Sequence, residues 1–139
     1  MTAIRQQLAV VPLFKSLNSK SLDRLEKMAR AREFGAGEMI LKEGDEAVGL
    51  FLITSGRVDL TRGGTHLATL GEGEFFGEMA LLDHYRRSAT VTATEPTSAI
   101  AIARSDFAAE LRANNALALE LLTHLSRRLR ETDQRLVDA

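Results

Sequence analysis

With 139 residues, 45% of them apolar and 27% charged, the chain is long enough for one core and leaves little room for a second. A formal charge of −1 gives no sequence-wide attraction to nucleic acid or anionic bilayers, and no apolar run approaches the roughly 18 residues a membrane span needs. Zero cysteines remove thiolate chemistry, iron–sulfur clusters and disulfides, and the opening MTAIRQQLAVVPLF carries no signal pattern, so a cytoplasmic location is expected.

All ten glycines lie between Gly35 and Gly77, which confines turn chemistry to the middle of the chain and implies a helix–strand–helix layout. A short helix is expected before Pro12. A second carries Leu22, Leu25, Met28 and Ala29 at helical spacing, with Asn18 or Ser19 as its cap. Short β-prone runs follow at Glu38–Lys42, Gly49–Thr54, Arg57–Arg62 and His66–Leu70, and Gly63-Gly64 is the sharpest hairpin signal. Two more, Ala89–Glu95 and Ser98–Ala103, flank Pro96, making six clear runs; about eight strands are expected in all, enough for a two-sheet jelly roll.

After Ser105 the pattern is helical, first over Phe107–Arg112 and then from about Asn115. In the second piece Ala118, Leu122, Leu125, Leu129, Thr132 and Leu136 recur in steps of four and three, a stripe that fits either a partner helix or the chain's own barrel. Thr132 is its odd member, because a hydroxyl in an apolar seam needs a hydrogen-bond partner. The expected fold is therefore α+β, mainly β: a single domain over 1–139, with helices in 1–33, an eight-stranded double-stranded β-helix (jelly roll) over 34–103, and helices over 104–139.

Chemistry concentrates between the last glycines and the β-prone run that begins at Ala89. A helix starting near Glu78 behind Gly77 exposes unpaired amides and the positive end of a dipole, a site for one anionic phosphate. Nine residues on, Arg87 offers a planar fork for two phosphate oxygens, and the small Ser88 and Ala89 let the following strand pass close. Glu78 cannot ligate phosphate and suits sugar hydroxyls. Taken alone, such a Glu and Arg are more often solvated charges; Gly77, Ala80, Ser88 and Ala89 around them favour a site.

The run Phe76-Gly77-Glu78-Met79-Ala80-Leu81-Leu82, followed by Arg87-Ser88-Ala89, resembles the phosphate-binding cassette of the cyclic-nucleotide-binding domain family, of the catabolite activator and protein kinase A regulatory subunit type. The likeness extends from Leu13-Phe14 to Leu129. It implies a cyclic phosphate on Arg87 and on cassette amides including that of Gly77, a ribose hydroxyl on Glu78, and a further phosphate contact from Ser88. Phe76, Met79, Ala80 and Ala89 complete the ligand-binding set. The last helix resembles the activator's dimer helix, which places Arg128 near Glu78 and Thr132 at the base. Arg86 departs from the family's frequent proline, and Asp133 from a small hydroxyl residue.

Catalytic motifs are missing: Phe76 breaks G-x-G-x-x-G after Gly71-Glu72-Gly73, and there is no Walker A or G-x-S-x-G. Glu72 and Glu74 read as solvated loop charges, and His66, His84 and His124 lack metal-ligand company and read as surface or packing residues. The expectation is a non-enzymatic sensor without metal or cofactor. Its ligand would be cAMP, with cGMP second, and its signal a movement of the last helix. Its expected partners are that nucleotide and a second copy through the last helix, without direct nucleic-acid or membrane binding. The alternatives are a ligand-free scaffold of the same fold, or the sensor part of a transcription regulator lacking its helix-turn-helix.

Overall fold

The computed structural model describes residues 2–15, 17–42, 49–77 and 89–138, the side chains at 2, 3, 9, 10, 128, 129 and 131–138 excepted. Helix α1 (Thr2–Val10) leads through a 3₁₀ turn (Pro12–Phe14) to α2 (Ser19–Met28). Asn18 is the cap that α2 uses: its Oδ1 accepts from the Ser21 amide at 2.9 Å. The helix stops at Met28 because Ala29 is already extended, with φ −75° and ψ 143°.

Strand β1 (Arg30–Phe34) follows at once, which corrects the assignment of 1–33 to helices and the start of the roll at 34. Only Phe34 of its five residues is buried, so Arg30-Ala31-Arg32-Glu33 carries no alternation to read. Pairing defines it as a strand, from Arg30 opposite Ala101 to Phe34 opposite Thr97. The others are β2 (Met39–Leu41), β3 (Gly49–Ser55), β4 (Val58–Arg62), β5 (Thr65–Leu70), β6 (Phe75–Phe76), β7 (Thr90–Ala93) and β8 (Thr97–Ala103). They form two antiparallel four-stranded sheets, ordered β1-β8-β3-β6 and β2-β7-β4-β5, the two layers of a jelly roll. The β4–β5 hairpin turns at Gly63-Gly64, with Arg62 opposite Thr65.

Strand β3 explains the two-part core. Its run Leu50-Phe51-Leu52-Ile53 is buried on both faces: Leu50 and Leu52 join the helix-side cluster, Phe51 and Ile53 the cluster between the sheets. Helices α3 (Arg104–Ala113) and α4 (Asn115–Asp138) close the helix side through Phe107, Leu117 and Leu121. The face of α4 that meets the barrel thus runs through Leu117, Leu121 and Leu125; of the expected stripe Leu125 lies on it, whereas Leu122 faces solvent. Leu119 and Leu122 are 64% and 60% exposed.

A polar clasp ties the chain's two ends together. Arg24 Nε and Nη2 each donate at 2.9 Å to the two carboxylate oxygens of Glu110, which is buried, and Asn114 Nδ2 donates to Ser21 Oγ at 2.9 Å. The hydrogen bond from Arg24 holds the Glu110 carboxyl below the usual carboxylate range, against its burial, with the guanidinium charge and Asn114 assisting. The folded state therefore binds fewer protons at Glu110 than the unfolded chain does. That stability is present above the unfolded-state carboxylate pKa and is lost as pH falls through the folded-state value.

Removing the carboxylate in Glu110→Ala is expected to cost about 1–3 kcal/mol at neutral pH by urea denaturation. Arg24→Ala instead strands a buried carboxylate whose pKa burial now raises. Its urea midpoint, relative to the parent's, is expected to recover as pH is lowered from 7 toward 4. A constant gap across that window would show that the clasp is not electrostatic.

Candidate functional site

The chain leaves the first sheet at Phe76 and enters the second at Thr90, so the segment holding the expected cassette joins the two layers. Its departure point is fixed from both sides. Phe76 pairs with Phe51 in the ladder and stacks on its ring inside the roll, centroids 5.1 Å apart and planes within 5°. Phe75 points the other way, into the helix-side cluster, where its ring lies 4.4 Å from that of His124 on α4. Two residues thus anchor the site to the roll interior and to the last helix. Of the two described histidines, His124 is the one that packs on an aromatic ring, and His84 lies outside the described residues.

Glu74 shapes the approach. Its Oε1 accepts from the Gly71 amide at 2.9 Å, and its amide donates to the Gly71 carbonyl at 3.1 Å. Two bonds to β3 hold the same turn, from the Gly73 amide to the Ile53 carbonyl at 2.8 Å and from the Ile53 amide to the Glu74 carbonyl at 2.9 Å. Glu74 is therefore a turn-closing residue as well as an exposed charge, a role visible only once the turn is formed.

Gly77 comes next, half-buried, at φ +95°. A residue with a Cβ is strained in that conformation, which accounts for glycine at this point. On the arrival side Ala89 is half-buried, and β7 begins with Thr90 opposite Thr61 and Val91 opposite Leu60.

Of the ten expected ligand-binding residues, the structure brings Phe76, Gly77 and Ala89 to the two ends of this crossing. Glu78, Met79, Ala80, Arg87 and Ser88 lie outside the described residues. Arg128 and Thr132 fall within the span of α4, with their side chains outside the described set. The Phe75–His124 contact, which the sequence reading does not anticipate, ties α4 to β6. Both rings stand in the sequence as ordinary core candidates, and only their juxtaposition gives them meaning.

Among the described residues, no three His, Asp or Glu side chains are grouped to hold a metal, and no helix is long and apolar enough to cross a membrane. What those residues supply at the crossing is backbone, apolar surface and a glycine at positive φ.

Comparison with known proteins agrees with this fold. A family model described as a cyclic nucleotide-binding domain matches residues 31–114. The cyclic AMP receptor protein of Thermus thermophilus is 41% identical over 129 residues, covering 88% of this chain and 59% of that protein. The crystal structure of the Thermus thermophilus catabolite activator protein superposes with a TM-score of 0.79 at 41% identity, covering 90% of this chain and 61% of that one. A cyclic nucleotide-gated potassium channel of Rhizobium etli is 39% identical over 102 residues, 73% of this chain but 28% of the channel. The sensor domain of the transcriptional regulator DNR from Pseudomonas aeruginosa aligns with a TM-score of 0.82 at 25% identity, covering 96% of this chain and 93% of that domain. The chain thus spans 59% and 28% of the first two curated relatives, the part that proteins of different overall construction share.

Proposed function

Because this chain belongs to the cyclic nucleotide-binding domain family, whose members are regulatory ligand-binding modules, we propose that it binds cAMP, in preference to cGMP, at the crossing between β6 and β7. The cyclic phosphate lies on the Arg87 guanidinium, the Gly77-side amides and the Ser88 hydroxyl, while Glu78 takes the ribose 2′-hydroxyl. Phe76, Met79, Ala80 and Ala89 line the pocket. Thr132 meets the base, and Arg128 reaches toward Glu78.

The observation that carries this reading is Gly77 at φ +95°, directly after a strand locked by Phe76 on Phe51. A cassette that receives a phosphate on backbone amides needs such a turn at its entry. The preference for cAMP rests on the Thermus relative's name and on Thr132.

Binding becomes a signal through α4. His124 rests on Phe75, two residues before Gly77, so a ligand that fixes the crossing also biases the strand beneath the helix. The output best supported is that of the sensor part of a transcription regulator, given the 41% identity to the Thermus receptor and the likeness to the DNR sensor domain. The domain works in the cytoplasm as a homodimer joined along α4, where Leu119 and Leu122 stand exposed. Leu122→Glu is expected to convert that dimer to monomer in sedimentation velocity; an unchanged sedimentation coefficient rules out this face.

Calorimetric titration of the full chain with cAMP and cGMP tests the ligand reading. Saturable heat with tighter binding of cAMP is expected. Absence of both heat and thermal shift at millimolar nucleotide would leave the ligand-free scaffold.

A further inference from the structure

An open cavity of about 320 Å³ lies on the β1 side of the first sheet, lined by Met28, Arg30, Arg32, Phe51, Ala101 and Asp106 among others. Its size is that of a small-molecule site. The cross-strand register explains why there is room: Arg30, Ala101 and Phe51 stand in one row, and the small Ala101 between two large neighbours leaves a hollow that Ala103 and Gly49 extend. The floor is apolar, from Phe51, Ala101 and Met28.

The rim is cationic. Arg30 Nη1 is held by the carbonyls of Lys27 and Ala29 at 3.3 and 3.1 Å, which orients the guanidinium and leaves further N–H groups to donate. The Arg32 guanidinium lies 5.4 Å from the centre of the Phe34 ring. Among the described residues neither arginine is in an ion pair. Two positioned cations over an apolar hollow are complementary to an anion with a flat hydrocarbon body. Asp106, in the first turn of α3, favours a ligand that also carries a hydrogen-bond donor.

We propose that this cavity is a second ligand site, for a small organic acid with an aromatic or cyclic apolar body. It lies over β1 and β8, whereas the nucleotide crossing leaves from β6 at the opposite edge of the same sheet; Phe51 of β3 stands between the two, its ring stacked on Phe76.

The probe is 1-anilinonaphthalene-8-sulfonate, titrated by fluorescence into the full chain in the presence of saturating cAMP. One saturable site is expected, undisturbed by the nucleotide. Arg32→Gln should weaken it at least tenfold. Ala101→Leu, which fills the hollow without touching charge, should do the same, while Arg57→Gln, in the turn before β4, should leave it unchanged. Failure of the dye to bind, its displacement by cAMP, an Arg32→Gln affinity within twofold of the parent, or an equal loss in Arg57→Gln would each overturn the assignment.

Discussion

Replacing Arg87 by alanine is expected to weaken cAMP affinity by about 2–5 kcal/mol, the range found when one partner of a desolvated charge pair is truncated. At about 1.4 kcal/mol per decade, that is a loss of about 30-fold to a few thousandfold in Kd. The size of the effect follows from an asymmetry. The cyclic phosphate keeps its charge at every pH of interest, so losing the guanidinium leaves an anion that can neither neutralise itself nor recover its water. Arg87→Lys restores the charge without the two-pronged donor geometry and should recover only part of the affinity. Arg86→Ala is the control. It removes the same charge one residue earlier, where the family resemblance gives no phosphate contact, and should shift Kd by less than about threefold through screened electrostatics alone. Equal losses at Arg86 and Arg87 would mean that diffuse positive potential, and not a pocket, attracts the nucleotide. Because the folded chain persists in both variants, the melting temperature without ligand should stay within a degree or two of the parent.

How much of this could be read from the chain depends on the distance over which each feature is decided. The Gly63-Gly64 hairpin is legible because the turn and its flanking pair, Arg62 with Thr65, lie within four residues of one another. The turn at Gly77 is legible for a similar reason: its left-handed backbone directly follows β6, and the glycine that permits it marks the place in the sequence. Strand β1 is not legible, since its partner is β8 at the far end of the roll and four of its five residues are exposed. Likewise β6 is two residues long, too short for any alternation, and exists because Phe75 and Phe76 face opposite clusters. The α4 stripe shows the limit most clearly. A pattern of leucines at steps of three and four has several possible faces, and contact with the barrel selected Leu117, Leu121 and the stripe's own Leu125 over Leu122. The clasp between Arg24 and Glu110 spans 86 residues and leaves no local trace at all.

Gly56→Ala is expected to damage the fold severely, and it too depends on contacts distant in sequence. Gly56 sits at φ +94°, and a Cβ built there would lie 2.5 Å from the Pro96 carbonyl oxygen, 2.5 Å from Thr97 Oγ1 and 2.7 Å from Thr97 Cα. None of these is a flexible side-chain end that can swing aside. Thr97 is buried, and its hydroxyl lies 2.8 Å from the Glu95 carbonyl and 3.2 Å from that of Arg57, while the Thr94 amide donates to the same Arg57 carbonyl at 3.0 Å. The β3–β4 turn and the β7–β8 turn therefore interlock, and a methyl group between them must push apart backbone that several hydrogen bonds hold together.

Left-handed strain of roughly 1–2 kcal/mol adds to an overpacking cost of about 1–3 kcal/mol, so about 2–5 kcal/mol of stability should be lost. For a domain of this size that is a large share of the total, about 5–15 kcal/mol. Gly64→Ala separates the two contributions, because Gly64 is also left-handed, at φ +83°, yet a Cβ there meets nothing within 4 Å. It should lose only the conformational part, about 1–2 kcal/mol. Urea midpoints at constant slope measure both. If the two variants lose the same amount, the interlocked turns contribute nothing beyond backbone strain, and the steric account of Gly56 fails.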